Sequence, residues 1–82
     1  MGYEPITYDR EADALYVRLS GSPVAKTSSL DDFRMIDYSA DGSVVGVEFI
    51  DVTAGIDLED VPFNQKIEEI IGQSGLDIKI FA

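Results

Sequence analysis

The residues in this sequence that could do chemistry are carboxylates, tyrosines and a few bases, because histidine and cysteine are both absent. The usual general base near neutral pH and the usual strong nucleophile are missing, so catalysis would have to rest on Asp, Glu, Tyr, Lys or Ser. That argues against most enzymes. Carboxylate pairs exist by count, with Asp31 beside Asp32, Asp9 near Asp13, and Glu68 beside Glu69. Neighbours on a strand point apart, however, and such pairs serve better as solvated surface or turn caps than as an acid/base dyad.

One run comes closer to a metal site. Asp37, Ser39, Asp41 and Glu48 occupy the first, third, fifth and twelfth places of a loosened calcium-loop pattern, with Gly42 at the sixth. A calcium loop of that kind needs a helix on each side, whereas Arg34 to Tyr38 and Val44 to Val52 read as strands joined by a turn at Ser39 to Ser43. Glu48 would then sit roughly 13 to 16 Å along its strand from the turn, at about 3.3 Å per residue, too far to close over an ion. No metal and no cofactor is expected. A small-ligand or cation-binding domain built on the carboxylate-bearing turns stays as the alternative to a binding role for the sheet.

The elements that position these residues follow from periodicity. Pro5 to Tyr8 reads as a first strand, and Ala14 to Ser20 as a second, with Leu15, Val17 and Leu19 on one side and Tyr16 and Arg18 on the other. Asp9 is placed to cap the turn between them. Val24 to Leu30 has little apolar content and reads as an edge strand, and the Arg34 to Tyr38 and Val44 to Val52 hairpin follows. After a break in pattern from Thr53 to Val61, Phe63, Ile67, Ile70 and Ile71 recur at helical spacing, with Asp60 as N-cap, Pro62 in the first turn and Gly72 or Gly75 as the stop. Leu76, Ile78 and Ile80 alternate as a short final strand. The fold class is therefore α+β: an antiparallel sheet of about five strands built from hairpins, one C-terminal amphipathic helix and a short final strand.

One helix covers one face. If it packs on Leu15, Val17, Leu19, Val45, Val47 and Phe49, the opposite face keeps Tyr16, Arg18, Met35, Glu48 and Ile50 near water. Tyr16, Arg18, Met35 and Ile50 are the candidate partner-binding residues, and an ordinary solvated face with a cross-strand ion pair is the plainer reading. The tyrosines, Tyr3, Tyr8, Tyr16 and Tyr38, are better explained as strand residues covering half-buried surface than as a ligand pocket.

At 82 residues the chain has room for a single domain, residues 1–82, whose small core makes stability marginal. With no disulfide or metal to help, self-association is expected, a dimer first. Sixteen acids against six bases give a net charge of −10, which repels nucleic acid, favours solubility, and steers basic partners inward. No stretch has the length of a membrane span and no signal-peptide order opens the chain, so a cytoplasmic protein is expected.

The run Ile6-Thr7-Tyr8-Asp9-Arg10-Glu11-Ala12-Asp13-Ala14-Leu15-Tyr16-Val17-Arg18-Leu19, followed by Ile36-Asp37-Tyr38 and by Asp41-Gly42-Ser43-Val44-Val45-Gly46-Val47-Glu48-Phe49, resembles the domain of unknown function 2283 family. The likeness covers Tyr3 to Val52. It implies the fold and no mechanism, since the family of short bacterial and archaeal proteins has no established activity and no catalytic residues to carry over. Some relatives are encoded beside small toxin-like proteins, which implies an antitoxin-like role in which an acidic protein masks a small basic one. The expectation taken into the structure is a non-enzymatic, acidic, protein-interaction domain.

Overall fold

The computed structural model describes residues 4–81, and Tyr3 lies outside them. The elements run β1 (Ile6–Asp9), β2 (Ala14–Arg18), β3 (Lys26–Ser29), β4 (Arg34–Tyr38), β5 (Val44–Ile50), a 3-10 turn (Val52–Ala54), β6 (Ile56–Asp57), α1 (Asn64–Gln73) and β7 (Ile80–Phe81). β1 to β5 form one antiparallel sheet in the order β1-β2-β5-β4-β3, and β6 pairs with β7 in parallel. The α+β class read from the sequence is the one observed.

The β1–β2 hairpin shows why its sequence is so polar. Asp9 Oδ1 accepts bonds from the amides of Glu11 (3.1 Å) and Ala12 (3.2 Å), as its place in the turn predicts. Asp13 then takes a left-handed backbone, φ 52°, which Asp tolerates better than most residues. Its carboxylate accepts from the Tyr8 hydroxyl (3.1 Å) and from both the amide (3.1 Å) and the hydroxyl of Thr53. The two Thr53 donors stabilise the charged form and hold the Asp13 carboxyl below the ordinary range. The Tyr8 to Asp13 run is thus a turn that fastens itself to the 3-10 turn after β5.

One face of the sheet carries the core. Leu15 pairs with Phe49, and Val17 and Ile36 flank Val47. Ile67 and Ile71 of α1 close over them, joined by Val52, Ile56, Leu58 and Val61 from the connection after β5. At the end of β5 near the turn the pairing slips, with Asp37 facing Gly46 but Tyr38 facing Val44, so Val45 is the extra residue of a bulge. Val44 therefore packs against the core cluster, while Val45 is buried outside it. This one-residue slip corrects the expectation that Val45 shares the helix side with Val47 and Phe49.

Element ends moved for identifiable reasons. β2 stops at Arg18 because the amides of Leu19 and Ser20 both turn to Val45 O (2.7 and 3.1 Å). β5 stops at Ile50 because Asp51 adopts φ 61° and opens the 3-10 turn. The helix begins later than the Asp60 cap predicts. Asp60 and Phe63 both have positive φ, and the first helical bond runs from Ile67 N to Phe63 O (3.0 Å). Phe63, read as the first residue of the apolar stripe, stands outside the helical register and is 63% exposed. Of the two candidate stops, Gly75 holds the left-handed conformation (φ 82°), while Gly72 lies within α1. The final strand pairs only at Ile80 and Phe81, and Leu76 and Ile78 pack against the core instead. No helix among the described residues is long and apolar enough to cross a membrane.

Candidate functional site

Residues directly opposite in an antiparallel sheet share a face, so the register lays out the side away from the helix as transverse rows. Thr7, Tyr16, Glu48, Met35 and Ser29 form one row. Arg18, Gly46, Asp37 and Thr27 form the next, and Ala14 with Ile50 lies on the other side of the first. Tyr16, Arg18, Met35 and Ile50 therefore share one surface, and all four are half-buried.

Gly46 organises this face. A Cβ there would lie 2.5 Å from Tyr16 Oη, 2.6 Å from Tyr16 Cζ and 2.7 Å from Val17 O. Its absence lets the Tyr16 ring lie across β5 from β2 and donate to Asp37 Oδ2 on β4 at 2.8 Å. The other oxygen, Asp37 Oδ1, accepts from Thr27 Oγ1 on β3 at 2.6 Å. One hydrogen-bonded chain thus ties three strands, β2, β4 and β3, across β5 on the open face. Desolvation, then the bond to Asp37 and its negative charge, push the Tyr16 phenol above its ordinary pKa, so it stays a neutral donor. Sequence reasoning placed Asp37 only in the calcium-like run and missed Thr27 and Gly46. The signal for Gly46 was available, since a lone glycine inside the valine-rich β5 marks a bulge or a close approach.

Arg18, at the end of the same face, donates from Nε to Ser20 O (2.7 Å) and from Nη2 to Ser22 O (2.9 Å). It fixes the start of the long connection to β3. The calcium-like run is dispersed: Asp37 is in the Tyr16 chain, Glu48 stands opposite Tyr16 on β5, and Asp41 serves its own turn. Gly42 takes the positive φ of that turn, 89°, as its sequence predicts. Asp41 Oδ1 accepts from the Ser39 hydroxyl and the Ser43 amide, which lower its pKa to about 2. Among the described residues no group of three or more Asp or Glu is set to hold a metal ion.

The Asp41 bonds carry a pH dependence. A carboxyl depressed in the folded state contributes stability that is present above its unfolded pKa, near 4, and lost as pH falls through about 2. Asp41→Ala should therefore melt below the wild type at pH 6, with the gap closing between pH 4 and pH 2. Thermal melts across that range check it, and a gap that does not change with pH would contradict the assignment.

Depressions on the described surface hold about 280 to 340 Å³, at the lower end of the ~300–1,000 Å³ usual for small-molecule sites. The open face carries apolar and charged side chains together, with Tyr16, Asp37 and Thr27 joined by hydrogen bonds. No curated protein and no solved structure matches the chain. The model of the family described as "Protein of unknown function (DUF2283)" matches residues 5–52, which span β1 to β5 with the Asp9 turn and the Gly46 crossing. With more than half of its sequence inside that match, the chain belongs to the DUF2283 family.

Proposed function

We propose that the chain is a non-enzymatic protein-interaction domain that pairs with a second copy of itself through the open face of the sheet. The observation that carries this reading is the make-up of that face. Helix α1 and the core lie on the other side, leaving Tyr16, Met35 and Ile50 half-buried on a face that also carries Arg18, Asp37 and, between Tyr16 and Met35, Glu48. A surface bearing both signs can complement itself about a two-fold axis. On a chain of net charge −10, this is also where two copies repel each other less than at the acidic loops.

The non-enzymatic part is supported by the residues available. Histidine and cysteine are absent, the Tyr16 phenol is held neutral by its bond to Asp37, and the depressions are small. Size sets the expected strength. Five strands at about 4.8 Å and five residues at about 3.4 Å give a plan area on the order of 400 Å². A standard interface buries ~800 Å² per partner, so the pairing should depend on concentration.

Met35→Glu would set a carboxylate directly opposite Glu48 and at the centre of the face. Light scattering at rising concentration should show the wild type approaching twice the monomer mass and Met35→Glu remaining a monomer of unchanged fold by circular dichroism. A wild type that stays monomeric at millimolar concentration, or a variant that dimerises equally, would overturn the reading.

A further inference from the structure

The charge of this chain is distributed unevenly. The three connections at one end of the sheet, residues 9–13, 30–33 and 51–60, hold nine of the sixteen acids and only one of the six bases, Arg10. They lie together because Ala14 pairs with Ile50, Ile50 N donates to Phe33 O (2.8 Å) and Val52 N donates to Asp13 O (3.2 Å). A groove of about 280 Å³ opens at this end. Phe33 and Phe81, 53% and 45% exposed, line it together with Ile50 and Ile56. The Phe81 ring lies against Gly55, where any side chain would collide with it.

Asp51 and Asp57 also line the groove. The guanidinium beside them is already committed. Arg34 pairs with Asp31 at 2.8 Å and donates to the carbonyls of Asp57 (3.1 Å) and Glu59 (2.6 Å). The Asp51 carboxylate, by contrast, accepts no hydrogen bond and joins no ion pair among the described residues, while Asp57 Oδ1 accepts from the Glu59 amide at 2.9 Å. The groove thus joins two exposed aromatic rings to three carboxylates, Asp31, Asp51 and Asp57, with Arg34 and Lys79 as the cations beside them.

We infer that this groove docks a basic segment of another protein, inserting one apolar or aromatic side chain between Phe33 and Phe81 and setting lysine or arginine against Asp51 and Asp57. Charge complementarity selects the occupant. A second copy of this chain would bring nine further acids to the same end and is repelled. The volume suits an inserted side chain better than a whole metabolite. The Phe33 ring offers a cation–π or stacking contact to an incoming arginine as well, while Phe81 already carries Lys79 Nζ over its face at 5.3 Å.

The test uses a fluorescein-labelled pentapeptide, Lys-Arg-Phe-Arg-Lys, and the same peptide with glycine in place of its phenylalanine, titrated by fluorescence anisotropy at 0.15 M salt. The phenylalanine peptide should bind the wild type more tightly. Phe33→Ser and Asp51→Asn should each weaken it roughly fivefold, the upper range for one exposed contact. Asparagine keeps the left-handed backbone of Asp51, so that variant retains the fold. Asp77→Asn removes the same charge outside the groove and should leave binding unchanged. Equal affinity for the two peptides, or equal loss in Asp77→Asn and Asp51→Asn, would reduce the interaction to net charge and overturn the inference. Ile50 belongs to both surfaces, so at protein concentrations below those at which copies pair Met35→Glu should bind the peptide like the wild type, which separates this groove from the pairing of the open faces.

Discussion

Replacing Gly46 by alanine should destabilise the fold by about 3 kcal/mol, the upper range for forcing one extra carbon into a packed site. The new methyl would meet Tyr16 Oη at 2.5 Å, Tyr16 Cζ at 2.6 Å and Val17 O at 2.7 Å. A tyrosine ring can swing aside, at the loss of its 2.8 Å bond to Asp37, but the Val17 carbonyl belongs to the adjoining strand and cannot. The melting temperature should fall by roughly 12 to 24 °C for a domain of this size. Removing the ring as well, in Tyr16→Leu with Gly46→Ala, should recover part of the loss and leave the clash with the carbonyl. Thermal melts of the two single variants and the double variant supply the cycle. A Gly46→Ala protein as stable as the wild type would mean that Tyr16 does not cross β5 at this point.

Phe49→Ala is expected to cost about 4 kcal/mol, within the range measured for emptying a buried phenylalanine site. Phe49 is 1% exposed and lies opposite Leu15 in the middle of the core. A domain of this length holds roughly 4 to 12 kcal/mol in total, so the variant should be largely unfolded at 37 °C or melt far below the wild type. The contrast is with Phe63→Ala, which touches a side chain 63% exposed and should change stability by less than about 0.5 kcal/mol. Urea unfolding of the pair measures both. Equal losses would show that Phe63 is covered as Phe49 is.

That contrast also shows where the sequence was readable. Period-two alternation located β2, β4 and β5 and their inward residues Leu15, Val17, Val47 and Phe49, because strands buried on one face advertise it. The Asp9 cap and the positive φ at Gly42 were legible because turn chemistry is local. The errors arose where tertiary contacts override local pattern. Asp60 and Phe63 look like a helix start, yet left-handed backbone at both delays α1 to Asn64. Residues 53–61 carry no periodicity, yet Ile56, Leu58 and Val61 reach the core, and Ile56 starts a parallel pair with Ile80. The bulge at Val45 depends on register with β4, which no stretch of β5 contains by itself.

For the open face, alternation was enough to group Tyr16, Arg18, Met35 and Ile50 on one side. It could not reveal the crossing of Tyr16 over Gly46 to Asp37, because that bond joins residues 21 apart and depends on the order β2-β5-β4. The run that looked most like a ligand site was a turn. Asp41 spends its carboxylate on Ser39 and Ser43, and Asp9 spends its own on Glu11 and Ala12, so both are occupied within a few residues of themselves. The two surfaces proposed to meet another molecule, the open face and the acidic, aromatic-walled groove at one end of it, are built instead from residues far apart in the sequence.

The central claim, pairing through the open face, is tested most directly by isotope-filtered nuclear Overhauser measurements on an equal mixture of labelled and unlabelled protein. The account predicts intermolecular contacts from the Met35 and Ile50 methyl groups, absent from Phe63 and from α1, and lost in Met35→Glu. Intermolecular contacts confined to α1 or to the exposed β3 edge, or none at millimolar concentration, would contradict it.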